Sequence, residues 1–121
     1  MLHAIVPAHC QSTIRNVSAH EFKEAMDTLE DEVVLDLRTR EEVQKGKIRG
    51  AFEIDFYSKD LKTVLSRLDR NKPYLLYCAA GGRSAKTAEL MKSLGFKKIY
   101  NLETGYDGWL QDGMPVVTGD Q

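Results

Sequence analysis

Apolar positions along this chain switch repeatedly between two spacings. Thr13 to Val17 alternates briefly, as a strand does. Val33 to Leu37 is apolar apart from Asp36, which suits a strand buried on both faces of a parallel sheet. Tyr74 to Tyr77, opened by Pro73, is a third apolar run, and Lys98 to Leu102 is the last. Gly50 to Asp55 predicts one further strand, reached through a glycine turn. Helical spacing lies between these runs. Leu61, Val64, Leu65 and Leu68 share one face of a helix over 58–68. From Arg83 to Leu94, Lys86, Glu89 and Ser93 form a polar stripe with Lys92 beside it, opposite Ala88, Leu90, Met91 and Leu94. Gly95 is placed to end that helix in a left-handed conformation.

End signals sharpen this pattern. Ser18 and Glu21 form a capping box, with Val17 and Phe22 at the positions of a hydrophobic staple, for a helix running to about Leu29. Thr39 and Glu42 form a second box, for a short helix ending near Gly46. A last helix carries Tyr106, Trp109 and Leu110 and stops at Gly113 and Pro115. Trp109 reads as a packing anchor and His20 as solvent-facing. Strands alternating with helices predict an α/β fold, with about five strands in a mainly parallel sheet and helices on both faces. Residues 1–12 show no periodicity and read as an N-terminal extension. Residues 13–117 form the domain, and 118–121 a C-terminal tail.

At 121 residues, the chain is long enough for one domain with a real core. A hydrophobic share of 42% and a charged share of 29% are ordinary for a globular protein. The net charge of −1 points to neither nucleic acid nor an anionic membrane as partner. No apolar run is long enough to span a bilayer, and the start lacks the pattern of a signal peptide. The expectation is a cytoplasmic monomer, or a periplasmic one if a signal was removed. One stretch is locally basic. Residues 79–98 hold Arg83, Lys86, Lys92, Lys97 and Lys98 against Glu89, either a solvated helix face or an anion-steering patch.

The two cysteines are Cys10 and Cys78, and the three histidines, His3, His9 and His20, are all near the N-terminus. They offer no set of short-spaced metal ligands, so no metal is expected. Cys78 is the residue with chemistry. It follows a predicted strand, precedes the small, glycine-bearing stretch Ala79-Ala80-Gly81-Gly82, and that stretch leads into a helix. Free helix N–H groups and a glycine-rich nest both favour an anion. A thiolate held there has a lowered pKa and is a better nucleophile. Arg83 adds a full charge at the far end of the loop. A lone cysteine is commonly a small buried hydrophobe; the combination of strand end, glycine loop, Arg and helix start argues for a nucleophile.

The segment Cys78-Ala79-Ala80-Gly81-Gly82-Arg83-Ser84 resembles the active-site loop C-x-x-G-x-R-S of rhodanese-like sulfurtransferases. Asp36-Leu37-Arg38 followed by Glu41-Glu42 resembles that family's D-x-R-x-x-x-E segment, and Gly46 to Ala51 its G-H-I-P-G-A turn, with Lys47 and Arg49 in place of His and Pro. Gly95-Phe96 through Leu102, Gly105, Tyr106 and Trp109 resembles the closing G-F-x-x-V-x-x-L-x-G-G-x-x-x-W. These matches span about residues 15–117.

The resemblance implies a rhodanese-like fold and sulfur transfer through a persulfide on Cys78. Ala79, Ala80, Gly81, Gly82, Arg83 and Ser84 would bind the substrate, with Arg83 drawing a small anionic donor such as thiosulfate. Cyanide in an assay, or a thiol or protein in the cell, would accept the sulfur. No cofactor is implied. Some family loops carry a second Arg where this chain has Ala79, so this loop has a single fixed cation. A persulfide carrier or a non-catalytic binding module is the alternative. A Cys-based phosphatase or arsenate reductase fits less well, because C-x₅-R loops are one residue longer than Cys78 to Arg83. For Arg38 two readings stand: an anion contact at a strand's C-terminal end, or a structural pair or cap with Glu41 or Glu42. The resemblance favours structure, and makes Asp36 an organiser of the neighbouring loops.

Overall fold

The computed structural model describes residues 12–119. Cys10, His3 and His9 lie outside the described residues. Strands and helices alternate: β1 (Thr13–Val17), α1 (Ala19–Thr28), β2 (Val33–Asp36), α2 (Arg40–Gln44), β3 (Phe52–Glu53), α3 (Leu61–Ser66), β4 (Pro73–Tyr77), α4 (Gly82–Ser93), β5 (Lys98–Leu102) and α5 (Gly105–Gln111). The sheet order is β1-β5-β4-β2-β3, and every neighbouring pair is parallel. This is the expected α/β architecture.

Alternation along β4 shows how the sheet is covered. Leu75 and Tyr77 face one layer with Phe22 of α1 and Trp109 of α5. Tyr74, Leu76 and Cys78 face the other, with Leu65 of α3 and Ala88 and Met91 of α4. A period of two thus buries both faces of a central strand. Trp109 is fully buried, edge-on to Phe22, and its indole N–H donates to the Pro115 carbonyl at 2.9 Å.

Both capping boxes form. Ser18 and Glu21 exchange bonds at 2.8 and 3.1 Å, and Thr39 and Glu42 do so at 2.9 and 3.3 Å. Val17 and Phe22 are buried in one cluster, as the staple requires. At the end of α4, Gly95 is left-handed (φ +91°), its N–H bonds the Lys92 carbonyl, and Phe96 N–H bonds the Met91 carbonyl. His20 is exposed.

Two elements are shorter than the pattern predicts. The expected strand over Gly50 to Asp55 pairs regularly only at Phe52 and Glu53. Ala51 N–H is turned back to the Ile48 carbonyl, and beyond Glu53 only the Ile54 and Phe56 amides still reach back, to the Asp36 and Leu37 carbonyls. The helix expected over 58–68 is regular only from Leu61 to Ser66, because Ser58 and Asp60 are held in turns by Asp55 and by the Ser58 hydroxyl. The sheet also resolves the basic stretch. Lys97 and Lys98 stand at the start of β5, at the opposite end of the parallel sheet from the loop that follows β4. They and Lys92 are exposed, a solvated surface away from Cys78.

Candidate active site

Cys78 directly follows β4, at the C-terminal edge of the sheet where such folds bind ligands. The loop then turns through Gly81, left-handed at φ +98°, into α4. A Cβ on Gly81 would run into the Glu103 carbonyl, so the position requires glycine on two counts. Gly81 is also the N-cap of α4, and as a glycine it offers no side-chain acceptor to the open helix end. The Cys78 sulfur takes that place. Its Sγ receives the Ser84 N–H at 3.3 Å and the Gly81 N–H at 3.2 Å, and lies 3.4 Å from the Ser84 hydroxyl. Ser84 is the third residue of the helix, the position whose N–H a capping side chain ordinarily satisfies.

The loop holds this shape because its carbonyls are engaged elsewhere. Tyr106 N–H donates to the Cys78 carbonyl at 2.8 Å, and Asp107 N–H donates to the Ala79 carbonyl at 2.9 Å. The open N–H groups at the start of α5 therefore hold the loop carbonyls, leaving loop amides to face the sulfur. Gly105 permits this approach: at φ +66°, any Cβ would strike the Ala79 carbonyl.

Cys78 is 1% exposed. Burial pushes its thiol pKa up. Hydrogen bonds from the Ser84 hydroxyl, from the Ser84 and Gly81 amides and from Ala80 outweigh burial and bring it below the ordinary cysteine value. The groups that pull it down most are neutral dipoles, arranged to receive negative charge on sulfur.

Each loop residue predicted from sequence has a distinct place. Gly81 and Ser84 contact the sulfur directly, and the Ala80 amide helps lower the thiol pKa. Ala79 anchors the loop to α5 through its carbonyl. Gly82 is exposed and begins the helix. Arg83, expected to draw an anionic donor, is paired with Glu42. Its two terminal nitrogens donate to the two Glu42 oxygens at 2.7 and 2.9 Å, and its guanidinium lies 5.8 Å from the Tyr57 ring centre. The Arg83 bond, together with the Thr39 cap, lowers the Glu42 carboxyl to about 2, against the cost of partial burial.

Arg38 has a different partner from those expected. It pairs with Asp36, not with Glu41 or Glu42. Its Nε and one terminal nitrogen donate to the two Asp36 oxygens at 3.0 and 2.8 Å, and that terminal nitrogen also reaches the Gly46 carbonyl at 2.7 Å. Its guanidinium stacks 4.0 Å from the Tyr106 ring centre. The Tyr77 hydroxyl donates to Asp36 at 2.6 Å and accepts from Ile48 N–H at 3.1 Å. This cluster is buried and structural. Burial beside Asp36 pushes the Tyr77 hydroxyl pKa far above its ordinary range.

The sequence reading missed Glu42 as a partner of Arg83, and missed Gly105, Tyr106 and Asp107 as the brace of the loop. Their motif positions were visible; contacts across 41 and roughly 28 residues of chain were not. Among the described residues, no group of three or more His, Cys, Asp or Glu side chains could hold a metal ion, and no helix is long and apolar enough to cross a membrane.

An α/β domain with a cysteine capping the helix after its central strand defines a class of thiol-loop proteins. Residues 18–112 match the family model of the rhodanese-like domain, and the chain belongs to that family. It is 26% identical over 109 residues to the protein named thiosulfate sulfurtransferase GlpE of Glaesserella parasuis serovar 5, covering 90% of this chain and 98% of that one. It is 33% identical over 98 residues to the protein named putative sulfur carrier protein YrkF of Bacillus subtilis, covering 81% of this chain and 52% of that longer one. The crystal structure of a rhodanese-related protein from Thermoplasma volcanium matches with a TM-score of 0.76 at 31% identity, covering 87% of this chain and 99% of that one. The chain thus falls within the rhodanese-like sulfurtransferases.

Proposed function

We propose that the protein transfers sulfane sulfur through a persulfide on Cys78. The observation that carries this reading is the convergence of the Gly81 and Ser84 amides and the Ser84 hydroxyl on one sulfur at the head of α4. The Cys78 thiolate attacks the outer sulfur of the donor. The new Cys78 S–S bond forms as the donor's own bond to that sulfur breaks, and the leaving group departs with the electron pair. From thiosulfate the leaving group is sulfite. A second nucleophile then attacks the outer sulfur and regenerates the thiolate, giving double displacement. Dipoles fixed around the Cys78 sulfur hold its negative charge as the thiolate that attacks in the first step and leaves in the second.

A carrier that hands the same persulfide to a protein is the second reading, favoured by the relative named a putative sulfur carrier. Incubation with thiosulfate followed by intact-mass measurement tests the shared step. The expected result is a gain of one sulfur atom, lost on adding cyanide or a thiol and absent from Cys78→Ser. Turnover retained in a folded Cys78→Ser would remove Cys78 from the role. Rapid discharge by small acceptors supports the enzyme; discharge only by a protein thiol supports the carrier.

A further inference from the structure

Arg83 is the cation of the loop, and its pairing has a consequence for the donor. Glu42 neutralises it through both carboxylate oxygens. The pair is partly buried, with side-chain exposures of 18% for Arg83 and 33% for Glu42. Three further contacts fix it. Glu42 Oε1 accepts from the Thr39 amide and hydroxyl at 2.9 and 3.0 Å, and the exposed Tyr57 ring lies against the guanidinium. With its carboxyl lowered to about 2, Glu42 stays ionised throughout any workable assay range. Arg83 directly precedes Ser84, whose amide and hydroxyl lie 3.3 and 3.4 Å from the Cys78 sulfur. A donor reaching that sulfur therefore meets a cation whose charge is already balanced.

We infer that Glu42 determines the charge of the sulfur donor: by holding Arg83 as a neutral pair, it removes the advantage of a dianion such as thiosulfate over donors bearing a single charge. This inference rests on the persulfide reading above. A Coulomb attraction grows with the charge of the donor. Freeing Arg83 must therefore help a dianion twice as much, in free energy, as a monoanion of the same shape. Methanethiosulfonate is that monoanion, since a methyl group replaces one anionic oxygen of thiosulfate. Its transfer balances in the same way, with methanesulfinate as the leaving group.

Glu42→Gln isolates the charge. The amide oxygen can still accept from Thr39 and from one Arg83 N–H, so the cap of α2 is kept while the negative charge is lost. The expected result is a fall in KM of about tenfold for thiosulfate and about threefold for methanethiosulfonate at low salt, with kcat little changed for either. Equal changes for both donors, or a rise in KM for both, would overturn the inference and leave Glu42 a purely structural residue. The wild-type protein supplies a second measurement. With Arg83 neutralised, the ratio of the two KM values stays flat as salt is raised; a ratio that climbs steeply with salt would show an unpaired cation and overturn it equally. The two readings fail differently. No Cys78 adduct from either donor removes the persulfide reading and this inference with it; adducts with an unchanged donor preference in Glu42→Gln remove this inference alone.

Discussion

Two arginines of this domain each make a bidentate pair with a carboxylate, and the two pairs differ in almost everything else. Arg38 and Asp36 are 4% and 0% exposed, packed among Tyr77 and Tyr106 within the fold. Arg83 and Glu42 sit at the edge of the reactive loop, partly in solvent. The buried pair is completed by two outside groups, the Tyr77 hydroxyl and the Gly46 carbonyl, and by Arg38's own amide on Asp36. The edge pair is completed by a helix cap and an open aromatic face. A buried charge without its partner is costly, whereas an exposed one is taken up by water. The inner pair therefore belongs to the architecture. The outer pair can carry selectivity, because its balance can change without unfolding the domain.

The sharpest way to break this contrast is to remove each carboxylate. Asp36→Ala is expected to cost about 3–5 kcal/mol, because it strands the Arg38 charge and orphans the Tyr77 hydroxyl. Glu42→Ala should cost about 1 kcal/mol or less. Urea unfolding of the two variants measures both, and similar losses would erase the distinction. Next in size, Tyr77→Phe removes the bond to Asp36 and leaves the Ile48 amide without its acceptor. A loss of about 1–3 kcal/mol is expected, with sulfur loading per folded molecule unchanged.

A smaller effect should appear in acid. The Glu42 carboxyl is lowered in the folded state, so its contribution is present above the unfolded value of about 4.3 and fades as pH falls toward about 2. Unfolding midpoints recorded between those limits should fall less in Glu42→Gln than in the wild type. The smallest change is expected at the thiol. The strongest pulls that lower the Cys78 pKa against burial come from neutral donors around the sulfur. An alkylation–pH profile should be centred below about 8.5 in the wild type, and should remain so in Arg83→Ala. Return of the midpoint to the free-cysteine value in that variant would assign the effect to the cation instead.

Much of this was legible in the chain. Alternating periods gave the α/β class, both capping boxes and the position of Cys78 between strand and helix, because each is written in side chains a few residues apart. The length of β3 and the partners of Arg38 and Arg83 were not legible. Asp36 and Arg38 are two residues apart in a strand and the turn after it, and only the bend beyond Asp36 turns one side chain onto the other. Glu42 was visible as a cap, and that local role concealed its second one: the carboxylate serves Thr39 three residues away and Arg83 forty-one residues away at once. Local patterns predict local bonds; a group shared between a local and a distant partner shows only the first.

The brace between α5 and the loop bears on how the protein is made. Cys78 lies well before the residues that shape its surroundings: Glu103 packs against Gly81, and the Tyr106 and Asp107 amides hold the loop carbonyls. β1, the first strand, likewise pairs only with β5, the last. A growing chain therefore lacks the contacts that brace the Cys78 loop until the residues of α5 have been synthesised. The cup of amides around the sulfur is thus written early in the chain and locked late, by backbone groups that follow it by more than twenty residues.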